Sequence, residues 1–230
     1  RGKIEDHIIT QDKNTNEIQI LLTRKMVDKP KVNIADILKE QKKNWEIDTI
    51  VLDPGHGGKD PGTRGITGTR EKDIALDIAK RLGSLLEKKL KVNVKYTRRT
   101  DKFVPLEERT KFANKVKGKL FISIHANSTR SRVTSARGME IYFLSPAKDK
   151  SSIEVAKREN RVVEIYENVE RYKNILGSDN MLFTMMQSGF VKESEELASV
   201  LLENVCKKVK VVKRGVKQAG LIVLVGASMP

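Results

Sequence analysis

The chain has 230 residues, 38% hydrophobic and 33% charged, with a formal net charge of +15. That length and balance suit one globular domain plus an appendage, with a wet, charged surface. Its single cysteine, Cys206, excludes an internal disulfide framework, and no apolar run approaches the ~20 residues of a membrane-spanning helix.

In chain order, Ile8-Ile9-Thr10 and Ile18 to Leu22 read as short strands around a polar Asn14-Thr15-Asn16 turn, followed by a helix over 34–43. Residues 1–48 form an N-terminal appendage. From Thr49 the pattern changes. Strands are predicted at 49–53, 92–97, 119–124, 138–144 and 221–225, and helices at 71–90, 105–117 and 192–210. The helical period of the first is marked by Ile74, Ile78, Leu82, Leu85 and Leu86. Cys206 lies among Leu201, Leu202 and Val205 on the last helix, which predicts a buried structural thiol. Strand–helix alternation of this kind predicts an α/β fold with a mostly parallel central sheet and helices on both faces. Residues 145–193 are charged and irregular, with a helical stretch through Tyr172, and read as an insertion.

Basic residues cluster, as in the acid-free run Lys207, Lys208, Lys210, Lys213, Arg214 and Lys217. A sequence pI near 9.8 raises nucleic-acid binding. Only 5% of residues are aromatic and no nucleic-acid motif is present, so a nucleic-acid partner is set aside. A cationic face would instead concentrate the protein on a carboxylate-rich polymer.

The chemistry sits at two strand ends. Leu52-Asp53-Pro54-Gly55-His56-Gly57-Gly58 is an apolar strand breaking into a glycine turn, and Phe121-Ile122-Ser123-Ile124-His125-Ala126-Asn127 repeats the form. Ligands of open α/β sheets bind beyond the carboxyl ends of strands, so two strand-end histidines point at one site. Glu71, opening the first helix, is the candidate third ligand; an acidic residue favoured by the helix dipole is the plainer alternative. Two histidines and a glutamate form a known catalytic zinc set. The loop glycines give no clean G-x-G-x-x-G, which argues against a dinucleotide site.

These strings, with Glu71-Lys72-Asp73-Ile74, Thr97-Arg98, Gly138-Met139-Glu140 and Arg214 to Gly220, resemble the zinc-dependent N-acetylmuramoyl-L-alanine amidases, including the cell-division amidases. The resemblance runs from about Thr49 to Pro230 and implies a catalytic domain over 49–230. It implies Zn²⁺ held by His56, Glu71 and His125, with Asn127 and Lys217 as substrate-binding candidates. The implied reaction is hydrolysis of the amide between N-acetylmuramic acid and the L-alanine of the peptidoglycan stem peptide. The insertion 145–193 resembles one that covers the zinc, with Glu159 as candidate blocking ligand and Glu154 and Glu164 as fallbacks. A solvated helical hairpin is the alternative there. A partner of the degenerate-endopeptidase type is implied as activator, and a periplasmic or cell-envelope location after export. A start at Arg1 rather than methionine is compatible with removal of a targeting segment. The appendage matches the end of a wall-targeting domain plus linker.

One departure is visible. In the family, a string like Ala227-Ser228-Met229-Pro230 leads into a strand bearing a second catalytic glutamate. Here the sequence stops at Pro230. The general base is therefore expected beyond Pro230, and this chain is expected to be impaired. Glu140, the nearest substitute, is read as structural, on a strand. If the chain truly ends at Pro230, the alternative is a non-catalytic, zinc-containing wall-binding module.

Overall fold

In the computed structural model, residues 4–11, 18–24, 46–128, 137–172 and 189–230 are described. The chain divides into two units, Arg1–Trp45 and Glu46–Pro230. The first contains β1 (Ile4–Gln11) and β2 (Ile18–Arg24), paired antiparallel as the sequence predicts. The expected turn at 14–16 and helix at 34–43 lie outside the described residues.

The second unit is built around β3 (Thr49–Pro54), whose six residues are all buried. An uninterrupted apolar run is what a strand covered on both faces requires. It pairs in parallel with β4 (Asn93–Tyr96) and β5 (Leu120–Ile124), in the order β4-β3-β5. Side chains alternate between faces. Ile50, Leu52 and Leu120 pack under α1 (Glu71–Leu90), while Val51 and Phe121 pack under α2 (Leu106–Lys115). Helices on both faces of a parallel sheet are as expected.

α1 turns inward only part of the stripe its large side chains suggest: Leu82 and Leu86 pack, half-buried, against the sheet core. Ala75, Ala79 and Gly83 are its buried face, while Ile74, Ile78 and Leu85 are 39%, 44% and 55% exposed. Small residues let the helix lie close to the sheet. A Cβ on Gly83 would come within 1.8 Å of the Tyr96 hydroxyl.

β6 (Met139–Leu144) and β7 (Lys213–Ala219) form a second parallel pair. The strand expected at 221–225 is instead a single 3-10 turn, Ile222–Leu224, and the strand precedes it. Leu221, Ile222 and Val223 are buried against α2 and the insertion, and the Ile222 N–H donates to Asn160 Oδ1 rather than to a ladder. The basic run that hid β7 is half-exposed. Before it runs α5 (Val191–Val209), which buries Cys206 as expected. Within 145–193 lie α3 (Lys150–Asn160), α4 (Val162–Tyr166) and a 3-10 turn, Val169–Tyr172; 173–188 are outside the described residues. Asp149 caps α3 by accepting from the Ser152 N–H. Val162, Val163 and Tyr172 join the core cluster of α2 and β5, so this part of the insertion is packed rather than solvated.

A polar network lies inside the carboxyl edge of the sheet. Asp53, fully buried, accepts from Arg109 Nη1 at 2.8 Å, from Ser123 Oγ at 2.7 Å and from Thr97 Oγ1. Burial pushes its pKa up; Arg109 and the two hydroxyls more than offset this and hold it below the usual carboxylate range. Arg109 also donates to the carbonyls of Pro54 and His56 at 3.0 Å, and Arg98 to those of Pro54 and Gly55 at 2.9 and 2.7 Å. Arg109→Ala should therefore leave Asp53 buried and ionised without its cation. Breaking a buried pair costs about 3–5 kcal/mol, or roughly 6–20 °C of melting temperature in a domain of this size. Thermal melts should show that loss, and adding Asp53→Asn should recover part of it.

Candidate metal centre

β3 and β5 leave the sheet in step. Pro54 pairs with Ile124, and the Gly55 N–H donates to the Ile124 carbonyl at 3.0 Å. His56 and His125 therefore emerge side by side. A Cβ on Gly55 would sit 2.5 Å from the His125 ring, so glycine is required for the approach. His56 itself takes the left-handed conformation, φ 59°. That conformation is costly for a residue with a Cβ, and the Arg109 bond to its carbonyl holds it.

Glu71 arrives on the first turn of α1. Its Oε2 accepts from the Thr63 N–H and Oγ1, each at 2.9 Å, and its Oε1 from the Ala126 N–H at 2.7 Å. Gly62, at φ +65°, passes close beside; a Cβ there would lie 2.6 Å from His56 Cδ2 and 2.9 Å from Glu71 Oε2. Glu159 comes from the last turn of α3. His56 Nε2 stands 3.3 Å from Glu71 Oε1 and 3.4 Å from Glu159 Oε2; His125 Nδ1 stands 3.2 and 3.1 Å from the same two atoms. The four ligand atoms lie within 4.8 Å of one another.

The donor set fits a metal ion. His56 Nε2 and both Glu159 carboxylate oxygens are buried and have no hydrogen-bond partner. Buried polar atoms are otherwise almost always satisfied. Two imidazoles and two carboxylates around one point are a zinc-type set. Without a cation, protons take its place. Burial lowers the His56 pKa, but Asp60, Glu159 and Glu71 together push it up to about 11. Burial lowers that of His125 as well, and Glu159 and Glu71 push it up to about 9. Burial raises the Glu159 pKa, yet the two histidines bring it down to about 2, and they hold Glu71 far below the carboxylate range against the same burial effect.

The structure thus brings His56, Glu71, His125 and Glu159 together. The fallbacks Glu154 and Glu164 are exposed. Asn127 and Lys217 lie off the cluster. Asn127 Oδ1 accepts from Arg158 Nη2 at 3.2 Å, and Lys217 Nζ donates to Glu140 Oε1 at 3.1 Å and Ser151 Oγ at 3.0 Å. Glu140 sits on β6, bridged also to Arg214 and to the Tyr142 hydroxyl, in keeping with a structural role. All three line an open cleft of about 1270 Å³ that reaches His56, His125 and Glu159. Sequence reading missed Asp60, whose Oδ2 accepts from His56 Nδ1 at 2.7 Å. An acid four residues after a histidine, inside a glycine turn, was the available signal. It also missed Asn160, which accepts from the Ile222 N–H at 3.0 Å and donates to the Gly220 carbonyl at 2.8 Å, pinning the end of α3.

Residues 50–230 match the family model described as N-acetylmuramoyl-L-alanine amidase. The chain is 37% identical over 186 residues to amidase AmiC of Escherichia coli O6:H1, covering 79% of this chain and 43% of that protein. It is 34% identical over 191 residues to AmiA of Escherichia coli K12, covering 82% and 65%. It thus spans between about two fifths and two thirds of these relatives. Among solved structures, AmiC2 of Nostoc punctiforme superposes with a TM-score of 0.55 at 29% identity, covering 80% of this chain and 76% of that one. With the fold and these matches together, the chain belongs to the N-acetylmuramoyl-L-alanine amidase family.

Proposed function

We propose that residues 46–230 form the catalytic unit of a zinc-dependent peptidoglycan amidase, held off by its own insertion. The observation that carries this reading is the convergence of four ligand-type side chains, three of whose atoms are buried without a hydrogen-bond partner, within the matched region. His56 Nε2, His125 Nδ1 and Glu71 would hold the ion. Bound there, zinc would supply Lewis acidity and lower the pKa of water to about 7.

The protein's own groups do the rest. Thr63 and the Ala126 N–H orient Glu71. Glu159 fills the remaining position, where an attacking water and the substrate carbonyl must enter, so the resting state is off. The insertion is anchored at its base, where Val163 and Tyr172 are each 1% exposed, and α3 is tied down by Asn160, bonded at both ends, and by Arg158 Nη1, which donates to the Ser128 carbonyl at 3.0 Å. Opening needs a partner with higher affinity for the lifted state, because only differential affinity shifts such an equilibrium. An activator of the degenerate-endopeptidase type at the division site fits that need. The general base is assigned to a glutamate on a strand following Pro230. In support, the Phe121 N–H donates to the Pro230 carbonyl at 2.9 Å, and β5 has its second edge open among the described strands. A strand continuing along β5 would run toward His125. Asn127 and Lys217 remain the substrate-binding candidates once the insertion is lifted. The enzyme would work on the cell wall after export to the envelope; no helix among the described residues is long and apolar enough to cross a membrane.

The full-length protein should release stem peptides from purified peptidoglycan, and chelation should stop it. The 230-residue chain should be slower by about 10²–10⁴-fold, the usual contribution of a general acid–base group. Zinc retention without cleavage in the full-length, activator-treated protein would leave a wall-binding module instead.

Metal binding should be strongly pH-dependent. Both histidines are raised above neutral pH in the metal-free protein, and each must lose a proton to become a ligand. Zinc should therefore bind at about one ion per chain, release about two protons near pH 7, and bind more tightly as pH rises. Calorimetry in buffers of different ionisation enthalpy reads the proton count, and His56→Ala with His125→Ala should abolish retention.

Glu159→Ala in the full-length protein should raise basal hydrolysis without the partner. Unchanged hydrolysis in a folded, zinc-loaded variant would remove Glu159 as the blocking group.

A further inference from the structure

The two histidines face the cluster through different atoms. His125 presents Nδ1, whereas His56 presents Nε2. His56 Nδ1 is thereby left facing away, and Asp60 Oδ2 meets it at 2.7 Å. Asp60 is nearly buried, with 7% of its surface exposed. It is delivered by a turn closed at both ends: the Gly57 N–H donates to the Asp60 carbonyl at 2.9 Å, and the Asp60 N–H to the Gly57 carbonyl at 3.1 Å. Its second oxygen, Oδ1, accepts from the Gly62 N–H at 3.0 Å, which stops the carboxylate from rotating off the ring. Asp60 does not reach the ligand cluster itself.

A neutral imidazole carries one proton, on either nitrogen. An ionised carboxylate can only accept. It therefore selects the form with the proton on Nδ1 and leaves a lone pair on Nε2. We propose that Asp60 is a positioning residue of the metal centre: it commits His56 to the Nδ1–H tautomer and aims Nε2 at the zinc. This rests on the zinc reading above. Among the described residues no carboxylate plays this part for the outer nitrogen of His125, so the control acts on one ligand of the pair.

Asparagine inverts this arrangement with little change of shape. Its oxygen can still accept from the Gly62 N–H, while its amide donates to His56 Nδ1. Neutral His56 must then carry its proton on Nε2, where the ion would sit. Loss of an outer partner of a metal-bound histidine typically costs about 10–100-fold in metal affinity, and Asp60→Asn should fall in that range.

The test measures zinc affinity by competition with a chromophoric chelator for the wild type, Asp60→Asn and Asp60→Ala. Melting temperatures are taken on the same metal-free proteins. Weaker zinc binding in Asp60→Asn with a melting temperature near that of the wild type supports the assignment. A loss of melting temperature with zinc affinity within about twofold of wild type would make Asp60 a structural turn residue and overturn it. Should the variants fail to fold, nitrogen NMR of the zinc-loaded wild type decides. A His56 Nδ1 proton shifted far downfield by a hydrogen bond to the Asp60 carboxylate is expected, and one with the shift of an imidazole N–H facing water refutes the proposal. Wild type that binds no zinc removes the metal reading and this inference together; wild type that binds zinc no better than Asp60→Asn removes only the inference.

Discussion

Everything at the site depends on the parallel register of β3 against β5. Pairing Pro54 with Ile124 lets both strands run out at the same level, so His56, two residues on, and His125, one residue on, reach the same point. A shift of one residue would turn the side chains of a strand to its other face. The register is set by burial on both sides: Ile50, Leu52 and Leu120 must meet α1, and Val51 and Phe121 must meet α2. Arg109 and Arg98 then extend that rigidity past the last paired residue. Between them they hold the carbonyls of Pro54, Gly55 and His56, three successive groups that the sheet no longer satisfies. Asp53 fixes Arg109 in turn. The left-handed His56 is thus imposed by a buried network rather than by its own preference.

The electrostatics of the cluster arise from crowding two carboxylates and two imidazoles into a buried space. Either protons or a cation must balance Glu71 and Glu159. In the metal-free chain the balance falls on the histidines, whose pKa values rise despite burial. Affinity for a divalent ion and affinity for protons are then two uses of one field, and the Asp60 carboxylate behind His56 strengthens both.

The strand-end histidines were legible because each lies in a contiguous string whose chemistry is local: an apolar run and then, just past the strand end, a histidine. The parallel α/β plan was legible from alternation. Glu159 came only through resemblance, since nothing around Arg158-Glu159-Asn160 distinguishes it from a surface helix until α3 is placed over the sheet end. Three features were hidden for physical reasons. β7 is a strand of lysines and an arginine around small residues, so its period is masked by charge. The 221–225 segment has a strand's composition, but its backbone is claimed by Asn160 of the insertion, a contact between residues 62 apart in sequence. The buried face of α1 is made of alanine and glycine, which hydrophobic periodicity overlooks in favour of the larger Ile74 and Ile78.

The same contacts explain how the proposed inhibition can be both firm and reversible. Glu159 is not the whole lock, although the two histidines hold its buried carboxylate ionised against the effect of burial. Further hold comes from its neighbours. Asn160 ties α3 to the chain entering the Ile222 turn, and Arg158 ties it to the loop after His125. Val162, Val163 and Tyr172 anchor the remainder of the described insertion in the core. Tyr172 and Glu167 also satisfy the N–H groups at the start of α2, so the base of the insertion belongs to the fold. Lifting α3 need not undo that base. It requires release of the Arg158 and Asn160 bonds, each a modest net contribution of about 1 kcal/mol or somewhat more where charge is involved, together with loss of the Glu159 contacts. A partner whose interface outweighs those few bonds can open the site while α4 and Tyr172 stay seated, and the insertion returns when the partner leaves.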